Sequence, residues 1–200
     1  MRTRSWTPTT YCPRDRSGSV TISRVRPARR SDLSRIVDLV AAMFAELGTP
    51  TVPASWPAAV AAALDARLGR DVAAFVSVDE VDEPVAVAVG LVDQRLPSPR
   101  RPAGRIGYVE WLATDASHRR RGAARLASAE LLRWFEAEGI KTVDVHASAA
   151  AEALYADLGF AAPHAAALRW LAPPAFAVDS DHESQPSTTT KGSVVSEMAQ

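Results

Sequence analysis

Residues 108–126 read YVEWLATDASHRRRGAARL, and they change character halfway. The first part continues a β-type run from Ile106 to Thr114. The second part opens a helix expected over Gly122 to Glu138. There Ala127, Leu131 and Phe135 recur every four residues, with Ala124 and Leu132 beside them, as an apolar stripe requires. Between the two lies His118-Arg119-Arg120-Arg121-Gly122-Ala123-Ala124. The first N–H groups of a helix lack internal partners and carry the positive end of its dipole, so such a junction is an anion site. Gly122 lets the backbone close around a ligand, Ala124 is small, and three arginines add charge-assisted contacts. The chemistry suggested is pyrophosphate on backbone amides with arginine on the outer phosphates. For the arginines alone, a solvated basic turn is the competing reading. The loop is neither a Walker loop nor Gly-x-Gly-x-x-Gly.

Outward from this junction the elements follow in a readable order. A strand is expected at Ile22 to Arg26. A helix with Ser31 as N-cap follows, carrying Leu33, Ile36, Val37, Val40, Phe44 and Leu47. A second helix runs from Trp56 to Leu68, with Ser55 as its cap and Pro57 in its first turn. Val-rich strands at Ala73 to Val78 and Val85 to Val92 form a hairpin. Leu96 to Arg105, with three prolines, is a loop. After the central strand and helix come a strand at Lys141 to Ala147, a short helix at Ala150 to Leu158 and a last strand at Ala167 to Leu171. The order β-α-α-β-β-β-α-β-α-β is that of an α/β layer protein with a mixed sheet. Residues 1–20 and 176–200 are polar and aperiodic and are expected to be disordered, leaving 21–175 as the domain.

Composition narrows the class. The formal net charge is zero, which argues against nucleic acid or a membrane surface as the main partner. A basic N-terminal arm touching nucleic acid is the weakest of the functional ideas, although the first thirty residues carry eight arginines against one aspartate. The excess of Arg over Lys and the abundance of Ala read as GC-rich bacterial coding. Cys12 is the single cysteine, so no internal disulfide forms. There is no Cys/His cluster at ligand spacing, so no metal is expected. No apolar run reaches the ~20 residues of a membrane helix, and the basic N-terminus lacks the apolar core of a secretory signal. A cytoplasmic location is the expectation.

The pattern Arg119-x-x-Gly122-x-Ala124 after a strand resembles the acetyl-CoA signature of the GNAT superfamily of N-acetyltransferases. Leu154-Tyr155-Ala156-Asp157-Leu158-Gly159-Phe160 is similar to that superfamily's second signature, in the right order and at the right distance. The resemblance spans about three quarters of the chain. It implies an α/β fold with a mixed central sheet flanked by helices, its central strands splayed. It also implies acetyl-CoA as co-substrate, with pantetheine along the backbone of Leu112, Ala113 and Thr114. The pyrophosphate would lie on the amides of Arg120, Arg121, Gly122, Ala123 and Ala124, with Arg119 and its neighbours near the adenosine 3′-phosphate. Tyr155 would be the general acid for the departing thiolate. Relatives often have Asn where this chain has Ser148, Pro where it has Ala116, and Glu where it has Tyr108.

The implied reaction is attack of a primary amine, on a small molecule or a protein, on the thioester. A base is needed as well as an acid. Glu110, mid-strand between Val109 and Trp111, shares a face with Tyr108 and Leu112 by the two-residue period and is a candidate for a water-mediated base. His146, at the end of the next strand, is the other. His118 reads as an exposed loop residue. Asp93 and Gln94 are loose candidates for the acceptor side. Trp56, Trp111, Trp134 and Trp170 read as core or groove residues. Arg100, Arg101 and Arg105 fit a solvated loop better than a site for an acidic substrate. Two functions stay open at this point: an N-acetyltransferase, with a homodimer as an allowed assembly, and a non-catalytic acyl-CoA-binding regulatory module.

Overall fold

Val72–Val78 is buried along its whole length, as a strand covered on both faces must be. In a computed structural model, residues 22, 24–49, 53–163 and 167–170 are described. The expected disordered segments, 1–20 and 176–200, lie outside them. The chain divides into two units, 1–161 and 162–200.

The first unit holds a five-stranded sheet in the order β1 (Arg24–Pro27), β2 (Val72–Val78), β3 (Pro84–Gln94), β4 (Arg105–Thr114), β5 (Val143–Val145). The first three pairings are antiparallel and the last is parallel. Alternation along β2 sends Ala74, Val76 and Val78 to one core and Ala73 and Phe75 to the other. The first core lies under α1 (Leu33–Glu46) and α2 (Trp56–Arg67), through Ile36, Val37, Leu39, Val40, Val60 and Leu64. The second lies under α3 (Ala123–Ala137), through Ala127, Leu131 and Phe135, and receives Tyr155 from α4 (Glu152–Asp157). This is the mixed sheet between helices that the sequence implies.

Glycine sets how closely α3 approaches. A Cβ at Gly90 of β3 would lie 2.7 Å from Phe135 Cζ, and one at Gly107 of β4 would lie 2.8 Å from Phe135 Cε1. Missing side chains there let the Phe135 ring rest on the strands themselves.

Several local expectations change. Ser31 is not the cap of α1. It lies inside a short 3-10 turn, Arg30–Asp32, and the buried Asp32 takes the capping role by accepting the Arg29 N–H at 2.6 Å. Asp32 does so because Arg26, also buried, fixes it with two bonds of 2.6 and 3.0 Å. Ser55 makes no side-chain bond to the start of α2. β5 is shorter than the expected Lys141 to Ala147. The last expected strand, Ala167 to Leu171, is not formed over its described residues 167–170, where Leu168 and Trp170 are exposed. Pro163 before it and Pro173 and Pro174 after it cannot donate to a ladder.

Candidate active site

β4 and β5 part company midway along β4. Their parallel register runs Gly107 to Val143, Tyr108 to Asp144 and Val109 to Val145, and ends there. β4 continues to Thr114 paired only with β3, and the Asp115 N–H then donates to Val85 O at 2.8 Å. The edge of Leu112, Ala113 and Thr114 that a fifth strand would cover therefore lies along the opening. An acyl-pantetheine chain has amide groups of the spacing such a strand edge bonds.

The opening leads directly to the arginine loop. Asp115 begins it by accepting the Ser117 N–H at 3.0 Å and the Ser117 hydroxyl at 2.5 Å, while Arg35 of α1 reaches it at 2.7 Å. The Ser117 hydroxyl first, and then Arg35, hold this carboxyl well below the usual carboxylate range. His118 joins the same knot through Ser117 Oγ at 2.9 Å and is half-buried rather than exposed. Arg120 has φ +59° and Gly122 has φ +84°. Alternation with left-handed residues turns successive N–H groups to one side, the geometry of an anion nest. A Cβ on Gly122 would meet no atom within 4 Å, so its surroundings are open toward the side a ligand would occupy.

Two contacts fix the loop to the rest of the fold. Ser77 of β2, fully buried, donates to the Ala123 carbonyl at 2.8 Å and anchors the first residue of α3 to the sheet. Arg119 pairs with Glu46 at the end of α1 and leans on the Thr114 carbonyl at 3.4 Å. It braces the strand end, while Arg120 and Arg121 stand exposed on the loop. Arg125 in the first turn of α3 pairs with Asp157 of α4.

Tyr155 is 6% exposed, packs edge-on to Phe160 with ring centres 5.2 Å apart, and lies in the core beneath α3. Burial first, and then the neighbouring Tyr108 phenol, push its hydroxyl up to about 12, so it stays protonated at neutral pH. Tyr108 is half-buried and its hydroxyl lies 2.5 Å from His146 Nδ1. His146 itself is exposed. Ser148 stands at the start of the α4 turn, where its carbonyl accepts the N–H groups of Ala151 and Glu152 at 2.8 and 3.2 Å.

Glu110 departs from expectation in an instructive way. The β3–β4 register shifts between Val89 and Gly90: Val89 faces Trp111, Gly90 faces Val109, and Glu110 has no partner. It is the extra residue of a β-bulge. Past the bulge the alternation is reset. Trp111 and Ala113 belong to the α1–α2 core, while Leu112 belongs to the α3 core. Glu110 therefore does not share a face with Leu112. It stands with Trp111 at a cavity of about 300 Å³ between α2 and the sheet, whose other walls include Val60, Leu64, Val89 and Leu91. The second charged group there is Arg67, which Asp71 holds with bonds of 2.5 and 3.0 Å.

The remaining candidates sit elsewhere. Gln94 is folded into the following loop through Arg95 O and Ala103 O at 3.2 and 2.9 Å. Arg105 turns to the end of α3, donating to Glu138 O at 2.9 Å. Among the described residues no group of three or more His, Cys, Asp and Glu could hold a metal, and no helix is long and apolar enough to cross a membrane. Sequence reading missed Ser77, Arg35 and the pairing of Tyr108 with His146. Each is a contact between residues far apart in the chain, with no local signature.

The geometry agrees with comparisons to known proteins. Residues 41–160 match the model of the Acetyltransferase (GNAT) family. A GCN5-related N-acetyltransferase from Ralstonia eutropha JMP134 is 27% identical, with a TM-score of 0.58 over 74% of this chain and 97% of that one. The crystal structure of a predicted acetyltransferase with acetyl-CoA, from Clostridium acetobutylicum, is 18% identical with a TM-score of 0.64, over 76% of this chain and 95% of that one. Glucosamine-6-phosphate N-acetyltransferase from Arabidopsis thaliana, 14% identical with a TM-score of 0.58, covers 74% of this chain and 98% of its own. The last two likenesses are of fold alone. No curated protein matches the sequence. With a parted β4–β5 pair, a left-handed loop at the start of α3 and a family model matching well over half its length, the chain belongs to the acetyltransferase (GNAT) family.

Proposed function

We propose that the protein transfers the acetyl group of acetyl-CoA to a primary amine, on a small molecule or a protein, by direct attack of the amine on the thioester. The observation that carries this reading is the opening between β4 and β5, which runs into the nest at Arg120 and Gly122. A thioester on a pantetheine arm would lie along Leu112, Ala113 and Thr114. Its pyrophosphate would rest on the amides of Arg120 to Ala124, with Arg119, Arg120 and Arg121 supplying positive charge. Ser148 would close the far side of the opening. The acetyl-CoA in the Clostridium relative supports this choice of donor.

An alkylammonium acceptor must lose one proton to become a nucleophile. After attack, a second N–H proton leaves as the C–S bond breaks and the thiolate takes one up. Tyr155 suits the last role, since its raised pKa keeps the phenol protonated until the thiolate forms, and the transfer is completed as the phenolate takes up the second N–H proton. Glu110 offers a carboxylate for the incoming ammonium at an otherwise largely apolar cavity. With Arg67 already committed to Asp71, the cavity favours a cationic amine on a compact apolar body over a sugar phosphate. His146 is the second candidate base.

The test is thioester consumption by purified protein across a panel of small alkylamines and peptides. The expected result is release of CoA and acetylated amine in equal amounts. Tight acetyl-CoA binding with no turnover across the panel would favour a regulatory acyl-CoA-binding module instead.

A further inference from the structure

We propose that Tyr108 and His146 form the proton exit of the acceptor pocket, with Tyr108 relaying the ammonium proton to the exposed imidazole. The inference rests on the acetyl-transfer reading and adds a catalytic residue to it.

Three observations meet here. Tyr108 lies across the β3–β4 ladder from Leu91, which walls the cavity, and directly opposed side chains stand ~5 Å apart at Cβ. It also precedes Glu110 by two residues, before the bulge resets the alternation, so both leave β4 on the cavity side. At its far end the phenol touches His146 Nδ1 at 2.5 Å. His146 comes just after β5, where the parallel pairing has ended, and is open to solvent. Tyr108 thus stands beside a wall residue of the pocket, His146 borders water, and a short hydrogen bond joins the two.

The chemistry balances without a further reactant. The N–H bond of the ammonium breaks and its proton joins the Tyr108 oxygen. The Tyr108 O–H proton passes to His146 Nδ1, leaving a neutral amine, a neutral phenol and an imidazolium. The imidazolium gives its proton to water, which accounts for the one proton that the overall reaction releases. Tyr155 then serves only the thiolate, so the entry and exit of protons use different phenols. Glu110 keeps the role of attracting the cation, which needs its charge and not its basicity.

The experiment compares Tyr108→Phe, His146→Gln and the double variant on two acceptors: the best alkylamine found and its β-trifluorinated analogue. The analogue is similar in size but already neutral at pH 7. With the alkylamine, kcat should fall roughly 100-fold in each single variant. The double variant should be no slower than the slower single one, as expected for two groups acting in series. KM for acetyl-CoA should not change. With the fluorinated amine the variants should run within about twofold of wild type, because no ammonium proton has to leave before attack. Equal losses on both amines would mark the pair as structural and overturn the proposal, as would additive losses or unimpaired variants. No turnover by the wild type on any amine would overturn the acetyl-transfer reading, and the exit with it. Thermal unfolding of each variant separates loss of fold from loss of relay.

Discussion

In the proposed reaction Tyr155 and Glu110 meet opposite demands on a side chain. A group that must hold its proton until a thiolate forms can be buried, and Tyr155 is buried. A group that must meet a cation from solvent cannot be buried unpaired, and Glu110 is exposed at the lip of the cavity. Tyr155→Phe keeps the ring packed on Phe160 and removes only the hydroxyl. It should lower kcat roughly 100-fold with little change in KM for acetyl-CoA, as steady-state kinetics would read. Glu110→Gln should act on the other substrate, raising KM for a cationic amine at least about tenfold, about the worth of one charge-assisted contact. An unchanged amine KM would remove Glu110 from the acceptor site. Tyr155 could be singled out in the sequence as a candidate because its motif is local. The direction of Glu110 could not, because the two-residue period holds only while the strand is regular. The bulge that breaks it depends on how β3 pairs, and on Gly90, which lies twenty residues earlier.

At the scale of elements, the proposed donor site is a joint between β4 and α3, and its precision depends on what holds α3 in place. Phe135 rests over Gly90 and Gly107 near the end of the helix, while Ser77 fastens its first residue. Ser77→Ala should cost about 1 kcal/mol of stability, the worth of a buried hydrogen bond, read from denaturant midpoints. It should also weaken acetyl-CoA binding several-fold, since loosening the first turn blurs the nest. A stability loss with unchanged affinity would mean that the loop holds its shape alone. The helix was legible from its four-residue recurrence and the loop from its glycine. Ser77 was not, because a serine in a Val-rich strand looks the same whether its hydroxyl is bonded or idle.

At the scale of the molecule, periodicity and turn residues were enough to order the elements from the first strand to α4. The reason is that the strands are flanked by clear breakers and that α1 and α3 each have one apolar face. Where those signals thin out, the reading fails. The stretch from Ala167 is apolar enough to suggest a strand but lies between prolines, and no strand forms over its described part. The identity of the acceptor is hidden for a related reason: the cavity proposed to receive it is made from α2, β2, β3 and β4 together, and no one segment carries its pattern.

The central claim is that the loop from Arg119 to Ala124 cradles the pyrophosphate of acetyl-CoA. Its most direct test is calorimetric titration of acetyl-CoA into the wild type and into Gly122→Trp. A side chain at φ +84° costs roughly 1–2 kcal/mol, but its Cβ meets no atom within 4 Å, so the variant should fold, as circular dichroism would check. The indole would then fill the space the phosphates need. One-to-one binding to the wild type and none to the folded variant is the predicted result; equal affinities would contradict it.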